Sequence, residues 1–461
     1  MEISPDLLSA ISAPQGGQVT LIIGAGCSSE NPPGLPLGRE MSREVYRRLV
    51  ADHLLDEGEC ANPDDLSEVA ETVFRKYGGQ RELVERLPRE RLQNAEANDG
   101  YLIAAALLRE QAVGNLLTLN FDMAGRHALA GVGAREDVAV IAGPEQFNRL
   151  GTVNFVHLHR DVNADPEAWI LRPEQLAAAW QGQWEEAITQ RVTTVPANVF
   201  VGLGSPAGVL IAAVERLRSA IGAAAHLWLV DIGPLDQSRF AEALEITPEM
   251  FIQAGWTELM FALGRRLAEE HVAALENALD ALEAEGLGHE DASQIMAELR
   301  KLTLLDLGRC RALWLGSASR YKPNRGSEPA HAAHLIYALA RIARVTAGEL
   351  RVLPEGAVEF WREAQHRATI FPGSGRGVRS ASAVEAACRA NATFGYWARR
   401  TTTIVLAGGV SEGMGTVAPP SNIVAEPNVG GDIVQGPLSV ITTTAELLDS
   451  DQAILGLFDG F

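Results

Sequence analysis

Paired cysteines are missing from this chain. Its four cysteines, Cys27, Cys60, Cys310 and Cys388, lie far apart in 461 residues with no Cys-x-x-Cys anywhere, so a zinc ribbon is excluded on spacing. Long apolar runs are absent as well, and none approaches the length that spans a bilayer. Residues 1–18 lack the basic-then-apolar layout of a signal peptide, so a cytoplasmic protein without a membrane role is expected. Positive charge is scarce: 39 Lys and Arg against 59 Asp and Glu leave a net charge of −20. That balance argues against direct nucleic-acid binding, because phosphate contacts need clustered Lys and Arg.

What is present is the composition of a soluble globular protein, 47% hydrophobic and 21% charged, in a chain long enough for two or three domains. The run Val19-Thr20-Leu21-Ile22-Ile23 is rich in β-branched residues and ends abruptly in Gly24-Ala25-Gly26-Cys27-Ser28. It reads as a buried parallel strand followed by a turn that a phosphate could approach, although Gly-x-Gly turns also serve simply to pack the next element. Residues 29–39 are too rich in proline and glycine for regular structure, and form a loop beside that turn.

From Glu40 to about Leu108 the apolar spacing is helical, which suggests an insertion whose charged positions are a solvated face. Further strand signals follow at Leu116–Leu119, Val138–Ile141, Val153–Val156, Val199–Val201 and Leu227–Val230. Six short apolar strands separated by helical or loop segments predict an α/β fold with a doubly wound, Rossmann-like parallel sheet. Ligands bind such sheets beyond the carboxyl ends of the strands. The candidate polar residues gather there: Gly24 to Ser28 after the first strand, Asn120 and Asp122 after the second, His157 and His159 after the fourth, Gly202 to Ser205 after the fifth, and Asp231 closing the sixth. Singly, each has an ordinary structural explanation as a cap or a satisfied loop residue.

Four elements in order resemble the sirtuin-like NAD-binding family. Gly24-Ala25-Gly26-Cys27-Ser28 is similar to its Gly-Ala-Gly-x-Ser loop, and Gly34-Leu35-Pro36-Leu37-Gly38-Arg39 to its Gly-Ile-Pro-Asp-Phe-Arg segment. Leu119-Asn120-Phe121-Asp122 resembles the Thr-Asn-Tyr-Asp element, and Val156-His157-Leu158-His159 stands where that family carries Leu-His-Gly. Trp169-Ile170-Leu171 and Phe200 to Ser205 extend the likeness weakly; nothing after about Asp236 belongs to it. Two departures stand out: Arg160 replaces the glycine after the histidine, and Leu37-Gly38 replaces Asp-Phe.

The resemblance implies a set of roles. Asn120 and His159 would be catalytic, with His159 preferred to His157 because it directly follows a leucine at the strand's far end. Gly24, Ala25, Gly26 and Ser28 would hold the pyrophosphate of NAD, Arg39 a phosphate or the loop, and Asp122 the nicotinamide carboxamide. Gly202, Gly204 and Ser205 would line the adenosine side, and Asp231 is expected to accept from a ribose hydroxyl by the general rule for acids at strand ends.

Without zinc cysteines the chain is most similar to the zinc-less bacterial branch, whose members are NAD-cleaving effectors of antiphage defence and abortive infection. The expected activity is therefore NAD hydrolysis at the nicotinamide–ribosyl bond with no metal, in a homo-oligomer that a partner ATPase or a phage-derived activator switches on. A non-catalytic nucleotide-binding scaffold is the alternative, and a deacylase a distant third. The expected domains are 1–236 for NAD, 237–350 mainly helical for assembly or regulation, and 351–461 mixed α/β. In the second half, His331 and His334 share one helix without a third ligand in view, and Phe371 to Arg379 reads as a linker.

Overall fold

The computed structural model describes residues 3–178, 183–203, 215, 218, 219, 221, 225–286, 290–315, 328–372, 402–407, 439–443, 447, 448 and 450–458. It divides into two compact units, Met1–Arg266 and Leu267–Phe461.

The first unit is built on a seven-stranded sheet, all of whose pairings are parallel. Its strands are β1 (Val19–Ile23), β2 (Val113–Thr118), β3 (Ala139–Ile141), β4 (Asn154–His157), β5 (Ala197–Val201), β6 (His226–Asp231) and β7 (Phe251–Gln253). They lie in the order β3-β4-β2-β1-β5-β6-β7. β1, β2, β4 and β5 are buried along their whole length, which is why they read as continuous apolar runs rather than alternating ones. A core of Ile22, Leu117, Val156, Phe200 and Leu229 runs across the sheet.

The doubly wound α/β architecture expected from the sequence is what is observed. From β1 the chain builds outward to β2, β4 and β3, then returns to the other side of β1 for β5, β6 and β7, so the order reverses at β1. Register aligns the strand ends: Ile23 pairs with Thr118 and Val201, and Thr118 with His157. The residues that follow therefore emerge at one rim, at the switch point where such sheets bind ligands.

The region between β1 and β2 is helical, as its spacing predicts. Gly38–Ala51 buries Met41, Val45 and Leu49 on one face; Leu66–Tyr77 starts at an Asp65 cap and stops at Gly78, whose φ of 71° ends it in the left-handed conformation. Asp99–Arg109 is capped by Asn98, which also donates from Nδ2 to Cys27 O (2.9 Å), tying this helix to the glycine turn.

Three expectations need correction here. His157 is the last residue of β4 and does not follow it. The region 237–350, expected to be mainly helical, contains a further strand: β7 occupies Phe251–Gln253, and the long helix begins at Trp256. A three-residue apolar run next to a helix start has no periodicity of its own, so only the pairing with Leu229–Asp231 distinguishes it. The sheet consequently continues beyond residue 236.

The second unit carries helices Ser293–Leu299, Leu304–Leu315 and Glu328–Thr346, then a five-stranded sheet ordered β12-β11-β10-β9-β8. Its strands are β8 (Glu349–Val352), β9 (Val358–Arg362), β10 (Gln365–Pro372), β11 (Thr402–Ala407) and β12 (Ser439–Thr443). β8 to β10 pair antiparallel, β10 to β12 parallel. Phe371 and Pro372 thus end a strand, while 373–379 lie outside the described residues. His334 is buried on the helix Glu328–Thr346. No helix among the described residues is long and apolar enough to cross a membrane.

Candidate active site

A cavity of about 550 Å³ opens at the carboxyl rim of the first sheet, within the range of roughly 300–1,000 Å³ usual for small-molecule sites. Gly24, Ala25, Ser28, Arg39, Asn120, Asp122 and His159 all line it. Residues from four separate segments therefore meet around it, those after β1, β2 and β4 brought to one wall by the register of these strands.

Asn120 sits at the centre of that wall, 8% exposed. Its Nδ2 donates to Gly24 O (3.0 Å) and approaches Ser28 Oγ (3.2 Å) and Tyr101 Oη (3.4 Å). A backbone carbonyl only accepts, so the amide nitrogen must face Gly24 and Oδ1 is turned away from it. The backbone is fixed from both sides, by Asn120 N donating to Thr118 Oγ1 (3.0 Å) and by His157 Nδ1 at 3.2 Å from Asn120 O.

His157 and His159 differ in what they face. His157 is fully buried, is absent from the cavity wall, and packs edge-on against Phe155 with ring centroids 4.9 Å apart. Its Nδ1 donates to the Asn120 carbonyl, so it acts as a brace for that loop. His159 lines the cavity, is hydrogen-bonded to the Leu119 backbone, and leaves a buried Nε2 with no partner among the described residues. Burial depresses both imidazoles to about 4, opposed at His157 by Asp161 and at His159 by the Leu119 contact. At neutral pH both rings are uncharged, and His159, with Nε2 as a bare lone pair, lines the same cavity as Asn120.

Asp122 accepts from Ser28 Oγ (2.8 Å) and, through Oδ1, from Ala124 N (3.0 Å), a local turn that leads into the helix Ala124–Gly131. Burial raises its carboxyl, opposed by those two hydrogen bonds. Tyr101 is a member of this network that sequence reasoning missed. It is buried, its hydroxyl lies 2.8 Å from Ser28 Oγ, and its ring meets Trp256 edge-on at 5.6 Å. In the sequence it is one more apolar position of a helix, and only the hydroxyl hints at more. Phe121 stacks on Trp169 at 4.5 Å, and Ile170 and Leu171 complete the apolar side of the cavity.

The glycine turn does not offer the backbone cradle expected of it. The N–H groups of Gly24, Gly26, Cys27 and Ser28 donate to Val201 O (3.0 Å), Gly202 O (2.7 Å), Gly24 O (3.0 Å) and Ala25 O (3.1 Å). The Ala25 amide is left as the turn's one donor without a partner among the described residues. The glycines are needed for a close approach instead: a Cβ on Gly24 would lie 2.6 Å from Gly202 O, and one on Gly26 would lie 2.8 Å from Gly202 Cα. Gly26 and Gly202 are not on the cavity wall; their role is to let the turns after β1 and β5 pack together.

Asp231 is not on the wall either. Its Oδ1 accepts from Gly233 N (2.9 Å), a local turn of the kind aspartate makes at strand ends. Gly204 and Ser205 lie outside the described residues. Arg39 lines the cavity but is paired with Asp64. Arg160 does not line it; its φ of 79° places it in the left-handed region, where a glycine would fit without strain. Cys27, buried beneath the turn, has a thiol pushed well up by burial and is inert.

No protein-family model and no curated protein matches the chain. Among solved structures, it is similar to a Sir2 homolog in complex with NAD, at 16% identity and a TM-score of 0.34 over 58% of this chain and 95% of the other. A structure described under the mechanism and regulation of Sir2 enzymes matches at 13% identity and a TM-score of 0.32, over 58% of this chain and 98% of its own.

Proposed function

We propose that this chain is an NAD glycohydrolase, cleaving the bond between nicotinamide and ribose with water as acceptor. The observation that carries the proposal is that Asn120, its amide nitrogen held by Gly24 O, and His159, whose buried Nε2 has no partner among the described residues, both line the cavity. The motif order of the sequence supports it.

Cleavage of this bond passes through an oxocarbenium-like state, so the site has to hold the ribose, position a water and remove its proton while keeping other water out. Asn120 Oδ1 accepts from the attacking water or a ribose hydroxyl, and the bonds to Gly24, Ser28 and Tyr101 keep it from turning its nitrogen inward. His159 Nε2 takes the water's proton as the new C–O bond forms. The electron pair of the broken C–N bond leaves with nicotinamide, and the products are nicotinamide, ADP-ribose and a proton. The low basicity of the ring means that it is unprotonated and ready at neutral pH. Asp122, held by Ser28 and Ala124, keeps further lone pairs with which to accept from the departing carboxamide.

The lack of paired cysteines and the zinc-less resemblance place this activity, in our proposal, among bacterial antiphage effectors that deplete NAD, acting as a homo-oligomer triggered by a partner ATPase or a phage-derived activator. Incubating the full chain with NAD, alone and with its genomic neighbours' products, should release nicotinamide and ADP-ribose in equal amounts. ADP-ribose bound without any turnover in every such mixture would support the scaffold reading instead.

A further inference from the structure

Arg39 is the only Lys or Arg among the described residues that line the cavity. With four amides of the glycine turn already engaged, the negative charge of a diphosphate has few other partners there. Arg39 is itself occupied. Its Nε lies 2.8 Å and its Nη2 2.7 Å from Asp64 Oδ2, and Asp64 also lines the cavity. The same carboxylate is shared with Arg43, whose Nη2 is 2.7 Å from Oδ2 and whose Nε contacts Oδ1. Arg43 is not on the wall.

The two arginines hold the Asp64 carboxyl down at about 2, so it stays ionised throughout the physiological range. The neighbouring acid is not a competitor, because Asp65 Oδ1 is engaged by Ser67 N (2.9 Å) and Ser67 Oγ (2.7 Å) as the cap of the next helix. Asp64 therefore occupies the place an anionic ligand would take. Two guanidiniums and one carboxylate leave a single positive charge, so a ligand displaces Asp64 only by bringing more negative charge than one carboxylate. The side chains of Arg39 and Asp64 are 55% and 27% exposed, which keeps the pair weak enough to open.

We propose that Asp64 sets the charge selectivity of this cavity, holding the Arg39 guanidinium expected to meet a phosphate until a ligand with a diphosphate displaces it. The proposal rests on the reading of the cavity as a nucleotide diphosphate site and adds to it the residue that filters by charge. Arg43 acts at one remove, drawing Asp64 away from Arg39.

Calorimetric titration of the full chain with ADP-ribose, at low ionic strength, tests this. Asp64→Asn should bind about fivefold tighter or more, since it frees Arg39 for the phosphates. Arg43→Gln should bind more weakly than the parent protein, because Asp64 is then left to Arg39 alone. Arg39→Gln should be the weakest, and Asp64→Asn added to it should restore nothing. A general loosening of the loop would move Asp64→Asn and Arg43→Gln in the same direction; that outcome overturns the proposal, as does unchanged affinity in Asp64→Asn or no binding to any of the five proteins. Nicotinamide release measured on the same samples is a separate readout. Tighter binding without turnover sinks the hydrolase reading alone, and turnover without the Asp64 effect sinks this one alone.

Discussion

The cavity has two unlike walls. On the inner wall, Ser28, Asn120, Asp122 and His159 are buried and locked to one another or to backbone. On the outer wall, Arg39 and Asp64 are half in solvent and joined by an ion pair. Burial makes the inner groups neutral or rigid, which suits bond cleavage; exposure leaves the outer groups charged and exchangeable, which suits capture of a charged ligand. The contrast teaches that substitutions on the two walls should separate turnover from affinity.

The largest effect expected is on the inner wall. Asn120→Ala and His159→Ala should each lower turnover by about 10²-fold or more, the usual contribution of a positioned proton acceptor, while ADP-ribose affinity stays within a few-fold. Equal losses of affinity and turnover would erase the distinction between the walls.

Acid should act next. Because His159 titrates at about 4, turnover should hold level from pH 8 to near 5 and fall only below that, whereas an ordinary histidine would begin to fail near 6.5. The same shift bears on folding. A group whose folded value is depressed stabilises the fold above its unfolded value and loses that contribution as pH falls through the folded one. His157 and His159, both brought from 6.5 to about 4, should each withdraw on the order of 3 kcal/mol between those values. Asp122, raised by burial, works in the opposite sense, stabilising most at low pH, but it is one group against two. Chemical denaturation at pH 7, 5.5 and 4.5 would measure the slope.

On the outer wall the response should be to salt. Raising ionic strength from 0.05 to 0.5 M, roughly a threefold change in Debye length, should weaken ADP-ribose binding to the parent protein and leave nicotinamide binding unmoved. The smallest effect expected is at Arg160, whose left-handed backbone strains any side chain. Arg160→Gly should gain about 1 kcal/mol in denaturant unfolding and keep turnover.

Much of the inner wall was legible from sequence because strand ends bring distant residues to one rim. The apolar runs that became β1, β2, β4 and β5 were visible as strands, and the polar residues after β1, β2 and β4 were visible as a candidate site. What could not be read was which donors are already engaged. Gly24 to Ser28 looked like a phosphate cradle, yet the approach of Gly202 occupies that turn. Asp231 stood at a strand end like the others, but its carboxylate closes its own turn. Asp64 lay in a charged helical stretch that reads as a solvated face, and nothing local pairs it with a residue 25 positions earlier. Arg160 is a departure from glycine in the sequence, and only its backbone angle shows why glycine suits that position. β7 depends on pairing with a strand some twenty residues earlier that no local pattern reveals, whereas β8 to β10 pair through short hairpin turns that the apolar pattern alone does not mark.

The measurement that bears most directly on the central claim is product analysis by chromatography after the full chain, with its activating partner, meets NAD. The account expects nicotinamide and ADP-ribose in equal amounts from the parent protein and neither from Asn120→Ala or His159→Ala under the same conditions. Undiminished release by both variants would contradict it.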